Sequence, residues 1–364
     1  MERNRYLAPI LALVLTTICA YPPKLAGQAN RDALRVAMAK RIDEAKQGTG
    51  AVVGLLTPQG KSFATYGRMR LEGPEATPDT IFEIGSITKV FTSFLLADMV
   101  ERGEVVLDDP VRKFLPSAAT VPSRNGKQIT LVDLATQTSG LPRDSVTVDL
   151  TATTSPYADY SANQLYAFLG GVRLDRDPGS KYEYSNVGMG LLGHALALRA
   201  GISYEDLLRR RIFEPLGMTS TTITLNTEHR ARRATGYNVK LFALPPWSGG
   251  VIDPAGSINS TAADMLKFGA AMVDSNSPLQ AAFARMTSVR RPSDGPRSDQ
   301  VLGWGIFKLG PNELVGHSGG TFGFQSRIIV DLTRKRSVVA WINNGQGESV
   351  TDLVGLALDR TSLQ

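Results

Sequence analysis

The sequence is poor in the residues that most often bind metals or form cross-links. It contains one cysteine, Cys19, and three histidines among 364 residues. A single cysteine excludes an intrachain disulfide and a cysteine-based zinc cluster. The histidines lie far apart at His194, His229 and His317, and the sequence has no His-Glu-x-x-His motif. We therefore expect neither a metal ion nor a cofactor.

One apolar run stands at the N-terminus, at residues 7–20. Basic residues precede it, it is too short to span a membrane comfortably, and small residues follow at 26–29. We expect residues 1–29 to be a signal peptide and the mature protein to be secreted or periplasmic. A retained membrane anchor and cleavage after Ala20 are the alternatives.

The charge balance gives little sign of a nucleic-acid partner. The formal net charge is +6, and the basic clusters at 209–211 and 230–233 lack interleaved aromatic residues. Such clusters are more typical of a solvated face than of a nucleic-acid site. There is also no glycine-rich loop ending in Gly-Lys-Ser/Thr that would hold a phosphate.

Strand and helix patterns divide the chain into three parts. Helical patterns occupy the middle, whereas strand patterns occupy both ends, at 51–56, 62–66, 302–308, 313–317, 325–331 and 337–343. This layout predicts an α/β (α+β) fold, in which helices flank one antiparallel sheet built from both chain ends. We expect an α/β sheet domain at 30–105 and 250–364, with a mainly helical domain inserted at 106–249.

A reactive pair coincides with a helix pattern at residues 85–103. Ser86 and Lys89 are three residues apart, so on a helix the amine lies within reach of the hydroxyl. A short apolar segment at 81–84 predicts a buried lead into the helix start, where backbone N–H groups favour negative charge. Apolar residues at helical spacing predict that one face of this helix is packed into a core. Chance alone also produces a Ser-x-x-Lys in a chain of this length.

Two further motifs carry polar groups that could face a cleft. Tyr184-x-Asn186 stands where a turn meets an apolar helix pattern, and its alternative role is to cap that helix. His317-Ser318-Gly319-Gly320 ends a strand pattern, where its glycines would let a ligand approach the backbone. A tight turn at the strand end is the alternative interpretation.

Residues 316–320 also match Gly-x-Ser-x-Gly, the nucleophile elbow of α/β-hydrolases. That elbow needs an acid and then a histidine later in the chain, and no histidine follows His317. The residues after the motif also have a strand pattern, whereas the elbow leads into a helix. We therefore reject this interpretation.

Taken together and in this order, the Ser-x-x-Lys, Tyr-x-Asn and His-Ser-Gly motifs resemble those of the serine β-lactamases and penicillin-binding proteins. The resemblance is strongest to the class C branch, which includes D-alanyl-D-alanine carboxypeptidases and esterases. It covers most of the mature chain, because segments 82–85, 129–142 and 214–218 also resemble that branch. The family fold, with an α/β sheet domain, a helical domain and the site between them, agrees with the expected layout.

The resemblance implies a covalent mechanism. Ser86 would be the acylated nucleophile, and Lys89 would manage its proton. Tyr184 would act as general base, in one version as a phenolate stabilised by nearby cations, and the sequence leaves open whether Lys89 or Tyr184 takes the first proton. Asn186 would hold the substrate amide, and the backbone N–H groups of Ser86 and Gly320 would form an oxyanion hole.

The third motif departs from the pattern of most class C β-lactamases. Those enzymes carry Lys-Thr-Gly, whose lysine helps to recognise the substrate carboxylate, whereas this sequence has His317 and Ser318 in the first two positions. With Gly319 and Gly320, they are the expected substrate-binding residues. A histidine of ordinary pKa, about 6.5, should attract a carboxylate weakly and in a pH-dependent way.

The resemblance therefore implies a serine hydrolase that opens a β-lactam through an acyl-enzyme at Ser86. A D-alanyl-D-alanine carboxypeptidase or endopeptidase, or an esterase with the same machinery, is the first alternative. A penicillin-binding sensor that is acylated without turnover is the second. The expected partner is a small β-lactam, peptide or ester, with no nucleic acid and no metal.

Overall fold

A computed structural model describes residues 23–148, 154–293, 299–309, 312–347 and 349–358, with side chains except at 23–29 and 308–309. Most of the expected signal peptide lies outside these residues. The chain is helical from Pro23 to Ala39, so the first helix begins within the last residues of the expected signal peptide.

The strands of the described residues include one long set and several two-residue pieces. They are β1 Gly50–Thr57, β2 Gly60–Gly67, β3 Phe82–Glu83, β4 Ser123–Arg124, β5 Lys127–Gln128, β6 Gly236–Tyr237, β7 Ala243–Leu244, β8 Asn259–Ser260, β9 Arg291–Pro292, β10 Asp299–Gln300, β11 Gly305–Leu309, β12 Asn312–Gly320, β13 Gln325–Asp331 and β14 Arg336–Ile342.

The two chain ends combine into one antiparallel sheet, as predicted. Within the described part of the chain the sheet has eight strands in the order β2-β1-β14-β13-β12-β11-β10-β9. The closing pair is β1 with β14, where Ala51 lies opposite Ile342. The strand predictions are confirmed within a few residues at their ends, but β9 and β10, the last two strands at one side of the sheet, were missed because each has only two residues, too few for a period.

Helices occur in the predicted middle region and also in the flanking segments, and they cover both faces of the sheet. They are α1 Pro23–Ala39, α2 Thr88–Glu101, α3 Leu131–Ala135, α4 Ala162–Gly171, α5 Asn186–Ala200, α6 Tyr204–Leu208, α7 Glu214–Leu216, α8 Thr227–Arg232, α9 Ala262–Val273, α10 Gln280–Ser288 and α11 Thr351–Ala357. Short 3₁₀ segments occupy Gly85–Ile87, Val111–Phe114 and Gly250–Ala255, and π-helical turns occupy Lys40–Glu44 and Arg209–Phe213.

Alternation along β14 divides the core into two layers. Val338, Ala340 and Ile342 pack with residues of α1 and α11 on one face of the sheet. Val339 and Trp341 face the other way, into the larger core that contains α2 and α9. Successive strand residues point to opposite faces, so both faces of this central strand are buried.

Helix α2 is buried on every side, which corrects the expectation of a single buried face. All its residues from Thr88 to Met99 are buried, including polar ones. The ring centroid of Phe91 lies 4.4 Å from that of Phe268 on α9, and Phe94 lies 4.8 Å from Phe283 on α10. Because α5 and the 3₁₀ segment 250–255 cover the remaining side, α2 is a rigid centre for the fold.

The inserted middle region is helical, but the boundaries proposed for it at 106 and 249 remain a prediction. Its basic cluster forms ion pairs within the protein, since Arg211 contacts Asp98 at 3.0 Å and Glu104 at 2.7 Å. In the described ranges, no helix is both long and apolar enough to cross a membrane.

Candidate active site

Ser86 stands at a sharp junction between a buried strand piece and α2. Strand β3 pairs with β8 just before it, as the apolar segment at 81–84 predicted. Gly85 then has a φ of +52°, a left-handed conformation that favours glycine. A Cβ at Gly85 would also lie 2.6 Å from the backbone nitrogen of Gly320. The junction therefore brings the serine directly beside the end of β12.

Lys89 lies one turn further along and is fully buried. Its Nζ donates to Ser86 Oγ at 3.0 Å and to the carbonyl oxygen of Ala255 at 2.5 Å. Burial, and then the nearby Arg143 cation, hold the pKa of Lys89 well below its ordinary 10.5. A neutral amine at this distance can accept the serine proton, so the geometry meets the requirement for an activated nucleophile.

Tyr184 lies close enough to the Ser86 hydroxyl that the serine lowers the pKa of its phenol. Two basic side chains lie near its ring, with Lys89 Nζ at 4.8 Å and Arg143 Cζ at 4.9 Å from the centroid. Burial nevertheless raises the pKa of the Tyr184 phenol and outweighs the opposing effects of Ser86 and Arg143. The phenolate version of the expected mechanism is therefore wrong for this resting site, where Tyr184 is a neutral phenol.

Asn186 is the first residue of α5, and its side chain has a fixed orientation. Its Nδ2 donates to Asp144 Oδ1 at 2.8 Å, and the Tyr157 hydroxyl donates to the same oxygen at 2.9 Å. Ser185, whose hydroxyl accepts from Gly188 N, caps the helix. Because a carboxylate accepts hydrogen bonds, the contact with Asp144 leaves the carbonyl oxygen of Asn186 to face the cleft.

The end of β12 packs against the serine junction without room for a side chain at Gly319. A Cβ at Gly319 would lie 1.9 Å from the carbonyl oxygen of Ile84, and Ser326 Oγ donates to that oxygen at 2.8 Å. The motif thus forms the last residues of a strand that continues to Gly320 and leads into β13. This strand-to-strand course agrees with the rejection of a nucleophile elbow at 316–320.

His317 lies beside Tyr184, and the centroids of the two rings are 6.5 Å apart. Its Nδ1 donates to the carbonyl oxygen of Ser318 at 2.6 Å. Burial and the nearby Lys89 lower the pKa of His317 to about 4. The expected titration near neutrality is therefore wrong, because the imidazole is neutral throughout that range.

Sequence reasoning missed an arginine beside the third motif. Arg327 lies on β13 directly opposite Ser318, and its Nη1 donates to Ser318 Oγ at 2.9 Å and to Thr351 Oγ1 at 3.1 Å. Its buried Nε has no hydrogen-bond partner among the described residues, and no carboxylate there forms an ion pair with it. Cross-strand pairing of the predicted strands was the only signal that could have found it.

Two cavities meet at Ser86 and Gly320. The first encloses about 630 Å³, and its lining includes Trp247 and Phe322. The second encloses about 690 Å³ and contains His317 and Arg327. The segment at 247–256 supplies much of the wall of the first cavity. Neither His194 nor His229 reaches these cavities, and the described residues contain no group of three or more His, Cys, Asp or Glu that could hold a metal.

Comparison with known proteins assigns the chain to a family. The family model described as Beta-lactamase matches residues 36–360, so the chain belongs to the beta-lactamase family. The expected resemblance and fold are thereby confirmed.

Individual relatives differ in their described activities. The D-alanyl-D-alanine-carboxypeptidase/endopeptidase AmpH of Escherichia coli strain K12 is 33% identical over 228 residues, which are 60% of this chain and 56% of that protein. A beta-lactamase of the same strain is 27% identical over 346 residues, covering 92% of this chain and 86% of the relative. This chain is 26% identical to a class C beta lactamase from Rhodobacter sphaeroides whose crystal structure is known. The two structures align with a TM-score of 0.75 over 91% of this chain and 99% of the other chain.

Proposed function

We propose that this protein is a serine hydrolase that opens β-lactams through an acyl-enzyme at Ser86. The observation that carries the proposal is the 3.0 Å contact between Ser86 Oγ and the buried Lys89 Nζ, whose pKa is strongly lowered. Such a pair supplies both a nucleophile and a base at neutral pH.

In the proposed acylation, neutral Lys89 takes the Ser86 proton while Oγ attacks the lactam carbonyl carbon. The tetrahedral intermediate then collapses, the C–N bond breaks, and the ring nitrogen receives a proton through the neutral Tyr184 phenol. Lys89 returns its proton to that phenol, so both groups end as they began. The lowered pKa of Lys89 and the raised pKa of Tyr184 support these roles, because the first shift favours a neutral amine and the second a neutral phenol.

We place the oxyanion hole at the backbone N–H groups of Ser86 and Gly320. The close approach of Gly85 to Gly320 supports this placement, because it brings the end of β12 beside the serine. Two such donors contribute a few kcal/mol to transition-state stabilisation. A water would then attack the ester carbonyl and give its proton to neutral Lys89, and the ester C–O bond would break as Lys89 returns that proton to Ser86 Oγ.

Substrate carboxylate recognition is assigned here to Arg327 together with Ser318. His317 has no charge to offer near neutrality, whereas Arg327 is cationic and lines the second cavity. Arginine can contact a carboxylate through two parallel hydrogen bonds. Gly319 keeps the strand close to Ile84, and Asn186 would accept a hydrogen bond from the substrate amide.

A second candidate activity is D-alanyl-D-alanine carboxypeptidase. The 33% identity to AmpH favours it, although the alignment spans only just over half of that relative. The same residues would attack a peptide carbonyl and release a terminal D-alanine. Action outside the cytoplasm, after removal of residues 1–29, would suit either substrate.

The test is to expose the purified protein to benzylpenicillin and follow product release together with the mass of the chain. We expect sustained turnover with an adduct confined to Ser86, and no adduct in Ser86→Ala. A long-lived adduct would favour the carboxypeptidase or a non-turnover sensor, which release of D-alanine from a D-Ala-D-Ala peptide would separate. Labelling retained in Ser86→Ala would refute the proposed nucleophile.

A further inference from the structure

The first cavity differs from the second in the chemistry of its walls. Trp247 and Phe322 form an edge-to-face pair there, with ring centroids 5.3 Å apart at 88°. Ile252 and Ala255 extend the apolar lining toward Ser86. A substrate bound with its carboxylate at Arg327 in the second cavity must therefore direct its acyl group into this apolar one.

The aromatic pair is fixed from two independent directions. The backbone N–H of Trp247 donates to Glu83 Oε1 at 2.8 Å, and Glu83 is itself buried in an ion pair with Arg233. Phe322 lies in the turn between β12 and β13, where Gly345 lets the backbone pass closely, since a Cβ there would lie 2.0 Å from the Phe322 carbonyl oxygen. Both rings are half-buried, so each keeps surface that a ligand can cover. Preorganised apolar surface binds with a smaller entropy cost.

The charged groups of this cavity are already paired with other protein groups. Asp144 accepts from Tyr157 and Asn186 and lies 3.5 Å from Arg143 Nε. Arg143 also lies over the ring of Tyr184. Among the described lining residues these are the charged ones, and they lie against each other, so the wall that Trp247 and Phe322 form carries no charge of its own.

We propose that the protein selects substrates whose acyl group carries an aromatic ring, and that Trp247 and Phe322 are the residues that determine this selectivity. The inference rests on the proposed acylation of Ser86 and adds the substrate class to it. An aromatic ring would continue the edge-to-face arrangement of the two side chains. A single apolar group in such a pocket changes the specificity constant by about tenfold or more.

The test compares benzylpenicillin with 6-acetamidopenicillanic acid, which share the nucleus and the amide and differ by one phenyl ring. The measured quantity is the second-order rate constant for acylation of Ser86, followed by intact mass. We expect benzylpenicillin to react about tenfold faster or more in the wild type. Trp247→Ala and Phe322→Ala should each reduce that ratio several-fold, whereas Phe322→Leu should keep part of it.

Phe242→Ala is the matched control, because Phe242 belongs to the same loop but is 64% exposed and lines neither cavity. Phe242→Ala should preserve the wild-type ratio of the two acylation rate constants. Equal acylation by both compounds in the wild type, or a ratio unchanged in both alanine variants, would overturn the inference while leaving the proposed nucleophile intact. Absence of any Ser86 adduct with either compound would refute the proposed function and the inference together.

Discussion

Replacing Lys89 by methionine should separate the two candidate bases, because it removes the buried amine and leaves the neutral Tyr184 phenol in place. Methionine has a similar length and no charge, so it can occupy the same channel beside Ser86. Loss of a positioned general base typically lowers the rate by about 10²–10⁴-fold. At about 1.36 kcal/mol per decade, the acylation barrier should rise by roughly 3–5 kcal/mol.

The fold should tolerate the same change. The carbonyl oxygen of Ala255 loses its 2.5 Å partner, and an unsatisfied buried acceptor costs about 1–3 kcal/mol. Removing the amine also removes the cost of burying a group that prefers water, which offsets part of that loss. We therefore expect the free energy of unfolding to fall by less than about 3 kcal/mol, so the rate can be measured on folded protein.

The assay is the pH dependence of Ser86 acylation by benzylpenicillin in wild type, Lys89→Met and Tyr184→Phe. Because the base must be neutral, the wild-type rate should rise with pH through the lowered pKa of Lys89 and then level off well below 10.5. Tyr184→Phe should keep that rise, and Lys89→Met should lose it. A rise located above pH 10 and retained in Lys89→Met would instead make a Tyr184 phenolate the base and refute this reasoning.

Three further outcomes follow from residues around the site. Arg327→Gln should raise the KM for a carboxylate-bearing β-lactam by about 10- to 100-fold, since hydrogen bonds to charged groups contribute about 1.5–3 kcal/mol. Arg327→Lys should recover part of the lost affinity. A KM that is unchanged in Arg327→Gln would exclude the carboxylate role. The rate of Ser86 acylation plotted against pH should show no step from His317 between pH 6 and 8, because the imidazole is charged only below its pKa of about 4. A step near pH 6.5 in the wild type that disappears in His317→Gln would contradict this expectation. Gly319→Ala should lower the free energy of unfolding by about 1–3 kcal/mol through its clash with Ile84, as measured by urea denaturation. In Gly320→Ala, where the nearest atom would be 4.0 Å away, the unfolding energy should change little, and equal losses in the two variants would argue against a steric cause.

Much of the framework could be predicted from local sequence patterns. Short runs of successive apolar residues predicted β1, β13 and β14, because a strand that is buried on both faces carries apolar residues at neighbouring positions. The three-residue spacing of Ser86 and Lys89 was sufficient to predict their 3.0 Å contact, because helical geometry alone brings such positions together. The full burial of α2 was not predictable in this way, since it depends on helices contributed by distant segments.

The motifs also could not reveal the groups that control their chemistry. Lys89 donates to Ala255, 166 residues away, and Asn186 is oriented by Asp144, 42 residues away. Arg327 reaches Ser318 only because β12 and β13 pair in this register. No periodic pattern marks such partners. The sequence analysis therefore assumed an ordinary pKa for His317 and expected this residue to bind the substrate carboxylate.

The sequence by itself therefore determined which elements form and which side chains are chemically capable of acylation. Only the tertiary structure decided the directions in which the pKa values of Lys89, Tyr184 and His317 shift, because burial and neighbouring charges set a pKa and both depend on long-range packing. It also decided that one side of Ser86 is apolar and aromatic while the other carries Arg327, a division created where separate loops and strands converge.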